Sequence, residues 1–299
     1  MKMKFWGIIL PILILFSCGE KKKETQFITF SGQIKNATFD SVYLILNERE
    51  KGFALDFDGN FSDTVQLNQE GYKTLALDRE EFPMYLIPGD SIAMTVDLQK
   101  FDQTFYYKGK GADRNLFLYE KEVMLNDWMA NEHLFRLDPD QYLDNINDFT
   151  NQLRQILKSK GLEKSFETIE QRNIYFNEFQ LLYAYRDSYA YFNPTKPQLP
   201  VDFIDFKRFN LDNEEDYKQF TSYRNIVIYY FDEQLNRGTD PELILGQIQS
   251  KTIRFGFIRL LLDNLDPNDP VSKTYYEAIL KHCDFKPWRD EAQKIMGVK

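Results

Sequence analysis

The hydrophobic period of this chain changes near Gly111, and that change limits its fold more than any other feature. Before it, apolar and polar residues alternate in short runs, which is the two-residue period of strands. The runs are Phe27 to Ile34, Ser41 to Leu46, Phe53 to Phe57, Phe61 to Val65, Tyr72 to Leu77, Met84 to Ile87, Ile92 to Val96 and Thr104 to Tyr107. Asp58-Gly59-Asn60 supplies positive φ angles between the third and fourth runs, so that pair reads as a tight hairpin. Pro88-Gly89-Asp90-Ser91 is a second strong turn. Short strands at regular turn spacing predict an antiparallel β-sandwich or barrel-like domain over residues 26–110.

After Gly111 apolar residues recur at three and four, the spacing of helices. Asp113 is a suitable N-cap for a helix carrying Leu116, Leu118 or Tyr119, Val123 and Met124. Asp138-Pro139 opens another, with Tyr142, Ile146, Phe149, Leu153, Ile156 and Leu157 on one face. The longest runs from Lys164 to Phe192 and stops at Asn193-Pro194. A proline-rich loop follows, then acidic residues Asp212 to Asp216 mark the start of one helix through Leu235. Asp240-Pro241, Thr252, Asn268-Asp269-Pro270 and Lys286-Pro287 begin the rest. The class is therefore α+β, with an all-α helical domain over 111–299.

The N-terminus says where such a chain goes. Lys2 and Lys4 precede an apolar run from Phe5 to Phe16, too short for the about 20 residues of a membrane span. Basic start, short apolar stretch and small residue together read as a secretory signal. Leu15-Phe16-Ser17-Cys18 resembles the lipobox of bacterial lipoproteins, which implies cleavage before Cys18 and lipidation of its thiol. Residues 1–17 are then a signal peptide and 18–25 a polar flexible tether. The expected place is the cell envelope, lipid-anchored, on the outer membrane facing the periplasm.

Charge narrows the partners. The formal net charge is −9, and losing Lys2 and Lys4 with the signal takes it to −11. An acidic body argues against nucleic acid, which selects basic faces, so membrane contact falls to the anchor. Of two cysteines, lipid takes Cys18 and leaves Cys283 without an intramolecular partner. There is no C-x-x-C, and His133 and His282 are too few and scattered for a histidine-rich metal site, so no cofactor or metal is expected.

Four segments fall in order: FSGQIKN (30–36), DFDGNFSDTV (56–65), YLIPGDSIAMTVD (85–97) and YYKGKGADRNLFL (106–118). Together they resemble the N-terminal half of TlpA-like thiol-disulfide oxidoreductase lipoproteins. That resemblance covers about 26–120 and implies a β domain and a helical segment ahead of a thioredoxin-like domain. The family's Trp-Cys-x-x-Cys motif has no counterpart before Lys299, so no catalytic residue carries over. What the resemblance implies instead is an accessory role beside a thioredoxin-type partner.

The local candidates mostly have plain readings. Asp56, Asp58 and Asn60 hint at a calcium loop, but Gly59 and Leu67 stand where an EF-hand loop needs other residues, so a turn is expected. Asp90 and Ser91 should cap their turn, and Gly109-Lys110-Gly111 should join the two domains. The aromatic helix around Tyr175 to Phe192 should face the core, with Tyr185, Tyr189 and Tyr191 as weak candidates for a sugar-stacking surface. His282-Cys283 reads as a lone buried thiol beside an imidazole pointing elsewhere. The leading expectation is a non-catalytic, lipid-anchored binding or accessory module. The alternative is a glycan-binding protein or hydrolase using acidic residues in a cleft.

Overall fold

The computed structural model describes residues 26–46, 49–200 and 203–298; Cys18, the expected lipidation site, lies outside them, as do the expected signal peptide and all of the expected tether. The chain is α+β. Eight strands come first: β1 (Phe27–Lys35), β2 (Ser41–Leu46), β3 (Arg49–Ala54), β4 (Asn60–Gln66), β5 (Gly71–Leu77), β6 (Glu80–Leu86), β7 (Ser91–Asp97) and β8 (Tyr106–Lys110). They form two four-stranded sheets, ordered β4-β1-β7-β8 and β3-β2-β5-β6. Pairing is antiparallel except between β1 and β7, which run parallel from Thr29↔Ser91 to Lys35↔Asp97. The sheets close on each other through alternate buried residues. Phe30 of one meets Phe53 of the other at 5.3 Å between ring centroids, within a core that includes Leu44, Leu75, Met84 and Met94.

Both strong turns pass the chain from one sheet to the other, although the sequence reads the first as a hairpin. Asp56 accepts the N–H groups of Asp58 and Asn60 at 2.9 and 2.8 Å, which tightens the Asp58-Gly59 turn. Yet β3 pairs with β2, from Ser41↔Ala54, and β4 pairs with β1, ending at Gln33↔Asn60. The turn is thus a corner between sheets, not a hairpin. Its cause is close backbone contact: Ile34 N–H donates to Gly59 O at 2.9 Å. A Cβ on Gly59 (φ +76°) would stand 2.0 Å from Ile34 O. Pro88-Gly89-Asp90-Ser91 likewise passes the chain from β6 in one sheet to β7 in the other; Asp90 caps it by accepting Ile87 N–H at 2.7 Å.

A four-residue helix, α1 (Phe101–Thr104), precedes β8, and the larger helices follow: α2 (Ala112–Ala130), α3 (Pro139–Ser159), α4 (Lys164–Phe192), α5 (Glu214–Gln219), α6 (Thr221–Asn236), α7 (Pro241–Gln247), α8 (Lys251–Asp263), α9 (Ser272–His282) and α10 (Lys286–Ile295). The N-cap of α2 is Gly111 in the left-handed region, with Asp113 inside the first turn. Its buried face holds Phe117, Leu118 and Leu125, while Val123 points out. Asp138, which opens α3 as the sequence suggests, forms a capping box with Gln141. At about 100° per residue, α4 buries two opposite faces. Phe166, Ile174, Leu182 and Tyr185 pack toward α2 and α3, and Phe176, Phe179 and Tyr183 toward α6 and α8.

A buried polar clamp ties the first helix to the sheets. Edge strand β6 has no neighbouring strand on one side, so the backbone of Tyr85 must find other partners. The Asn115 amide serves as a substitute neighbour: it accepts Tyr85 N–H at 2.7 Å and donates to Tyr85 O at 3.2 Å. Arg114, 1 % exposed, also donates to Tyr85 O at 2.9 Å and to Glu163 at 2.7 Å, and it pairs with buried Asp90. The same Asp90 that caps the Pro-Gly turn therefore anchors the start of α2.

Candidate functional site

The outer face of the second sheet carries the site. Period-two alternation puts Tyr72 and Thr74 of β5, Pro83 and Tyr85 of β6, and Ile45 of β2 on that face. Register aligns Ile45, Thr74 and Pro83 in one row and Tyr72 with Tyr85 in another. Helices cover the tyrosine row. Tyr85 meets Phe166 at 5.1 Å and Tyr72 meets Phe220 at 5.7 Å between ring centroids. The other row stays open and forms one wall of a cleft of about 830 Å³ between sheet and helices.

The floor beside Tyr72 is a buried ion pair. Glu170 is wholly buried and Lys121 is 2 % exposed. Lys121 Nζ donates to Glu170 Oε1 at 2.7 Å, and the Tyr72 hydroxyl donates to Oε2. Asn173 reaches both the Tyr72 hydroxyl and Glu170 Oε2 at 3.4 Å. Ser222 Oγ closes the network by donating to Asn173 Oδ1 at 2.7 Å. Burial, and then the charge of Glu170, hold the Tyr72 hydroxyl well above the usual tyrosine range, so it remains a donor. Both oxygens of Glu170 are engaged, and its charge is met by Lys121. Pairs of this kind rarely add stability over apolar replacements, but removing one partner leaves a buried charge at a cost of about 3–5 kcal/mol.

The opposite wall comes from α4 and from the joint between α5 and α6. Asn173, Asn177 and Gln180 follow Glu170 at helical spacing, and this polar stripe runs along α4 between its two apolar faces. The sequence suggests a single helix from Asp212 to Leu235. The structure breaks it at Phe220, which has extended angles (φ −112°, ψ 120°) and is buried against Tyr72 and Phe176. The break turns Gln219, Thr221, Ser222 and Asn225 toward the cleft. Ser250 and Thr252, at the start of α8, hold Glu214 of α5 through hydroxyl bonds of 2.8 and 2.9 Å. The Lys218 ammonium, and then those bonds, keep the Glu214 carboxyl down at about 2.

Half of the residues lining the cleft carry side-chain amides or hydroxyls, beside Tyr72, Tyr217 and Phe220. Amides and hydroxyls both donate and accept, which suits a ligand dense in hydroxyl groups. Charged residues at the lining are Lys73, Lys218 and Arg224 against Glu122.

The tyrosines singled out in the sequence lie elsewhere on α4. Tyr185 is fully buried, stacked on Tyr142 at 3.9 Å with its hydroxyl on Leu137 O at 2.8 Å, so it cannot stack a sugar. Tyr189 is also buried, at the edge of a separate cavity of about 330 Å³ with Arg186 and Lys196. Tyr191 alone is exposed, at 81 %. The three share no surface, because both apolar faces of α4 are used in packing. His282 bonds Glu242 at 3.0 Å, not the buried Cys283. Among the described residues no group of three or more His, Cys, Asp or Glu side chains is placed to hold a metal ion, and no helix is long and apolar enough to cross a membrane.

No protein-family model and no curated protein matches the chain. Among solved structures, a match is found to a "putative cell adhesion protein" from Bacteroides ovatus ATCC 8483. Identity is 12 %, the match covers 28 % of this chain and 43 % of the other, and the TM-score is 0.19. The chain thus spans less than half of that protein, at a similarity too low to bear on fold or function.

Proposed function

We propose that this chain is a lipid-anchored envelope protein that binds, without reacting, a glycan in the cleft between its second sheet and α4–α6. The observation behind this reading is the lining. Asn173, Asn177, Gln180 and Asn225 amides, with Thr74, Thr221 and Ser222 hydroxyls, surround a space of about 830 Å³ beside aromatic rings. Oriented amides and hydroxyls are what a sugar needs to exchange its bound water for protein contacts. Glu170, the acid beneath the floor, already holds Lys121 and Tyr72, which favours binding over acid–base chemistry. The anchor reading rests on the Leu15 to Cys18 segment and on a tether of GEKKKET composition. An accessory role beside a thioredoxin-type partner rests on the resemblance over 26–120 alone.

Two measurements test this. Metabolic labelling with palmitate should mark the wild-type chain and not Cys18→Ser; equal labelling of both removes the anchor. Calorimetry of the full chain against neutral oligosaccharides should give binding that weakens about tenfold or more in Asn177→Ala/Gln180→Ala, through the loss of two amide contacts. Unchanged affinity in that variant would place the ligand outside the cleft.

A further inference from the structure

The charged part of the cleft carries a more specific message. The chain as a whole has net charge −9, and the cleft lining carries Lys73, Lys218, Arg224 and Glu122. Lys218 is partnered by Glu214. Arg224 differs: it meets no carboxylate among the described residues. Its Nη1 donates to the carbonyls of Tyr217 and Lys218 at 3.0 and 3.3 Å, in the last turn of α5. Its Nη2 donates to Thr221 Oγ1 at 2.6 Å. These bonds fix the plane of the guanidinium and leave Nε without an acceptor. Burial lowers its pKa, the sign of a cation poorly served by solvent.

We infer that the cleft selects an acidic glycan, whose sugar carboxylate is received by Arg224. The inference rests on the glycan reading above and adds the charge class of the ligand. A guanidinium already held in position offers a planar donor array that matches a carboxylate. A cation with no carboxylate partner, on an otherwise acidic body, would draw such a ligand to this cleft and away from the rest of the surface. The neighbouring amides of Asn225 and Gln219 would take the sugar hydroxyls.

The test compares oligogalacturonate with its methyl ester on the purified full-length chain, by calorimetry. The two probes differ in charge and little else. The acid should bind about tenfold or more tightly than the ester, the value of a charge-assisted contact, and its affinity should fall as salt rises. Arg224→Gln should bring the acid to the level of the ester. Because loss of the α5 contact could unfold that variant, the acid-to-ester ratio of the wild-type chain is an independent readout. Equal binding of acid and ester overturns the charge inference and leaves the glycan reading standing. Preference retained in a folded Arg224→Gln overturns the role of Arg224. Absence of binding by the acid, the ester and a panel of neutral oligosaccharides overturns the glycan reading itself.

Discussion

Arg114 shows how much rests on single side chains here. It is buried among Asp90, Glu163 and a backbone carbonyl, so truncation leaves Asp90 charged and unpaired. We expect Arg114→Ala to lower stability by about 3–5 kcal/mol in urea denaturation. Arg114→Lys should recover little of it, since an ammonium cannot reproduce the fork. Lys121 and Glu170 make the converse case. Either single truncation should be strongly destabilising, and Lys121→Met with Glu170→Leu should cost less than either alone, as a double-mutant cycle would reveal. Glu214 gives a pH signature. Its folded pKa is depressed to about 2 from an ordinary 4.5. Its contribution is therefore complete above the ordinary value and fades as pH falls toward about 2; a carboxyl chemical-shift titration should place its midpoint there. None of these roles was legible in sequence. Arg114 and Asn115 lie within the 106–118 segment, but nothing in a linear string marks a charged residue as buried.

Elements were easier to read than their partners. Most strand runs, the turn residues, the Asp138 cap and the change of period at Gly111 follow from local chemistry, and the structure has them, although β3 covers Arg49–Ala54 where the sequence suggests Phe53 to Phe57, and Thr104 lies in α1. Strand pairing does not follow, because Asp58-Gly59 satisfies a hairpin and a corner equally well. Gly59→Ala forces a side chain onto Ile34 O at positive φ, and should cost about 2–4 kcal/mol in thermal or urea melts. In contrast, Gly246→Ala on α7, where an added Cβ meets nothing within 4 Å, should be neutral or stabilising by up to about 1 kcal/mol. The break at Phe220 escaped the sequence for a related reason. Its helical pattern is continuous, and only burial of the ring against Tyr72 and Phe176 stops the helix. That break builds half of the cleft, so the candidate site was hidden with it. The three tyrosines failed as a site because periodicity cannot distinguish a helix buried on two faces from one with an aromatic surface.

At the scale of the molecule, sheets and helices are joined through polar contacts as well as apolar ones. Asp90, Arg114 and Asn115 join strand to helix, and Tyr72 reaches Glu170 across the cleft floor. We expect near- and far-ultraviolet circular dichroism melts of the wild-type chain to coincide, and those of Arg114→Ala to separate as sheet and helices lose their link. The topology also sets an order of events. β1 is bordered by β4 and β7, whose matching residues arrive up to 62 positions later in the chain. As the polypeptide emerges N-terminus first, its earliest strand has no mate, and zippering from hairpins cannot supply one. Closure of the sandwich must await synthesis through Asp97, so this half belongs with slow, nonlocal folders and passes through an interval in which a holding chaperone would find an open edge.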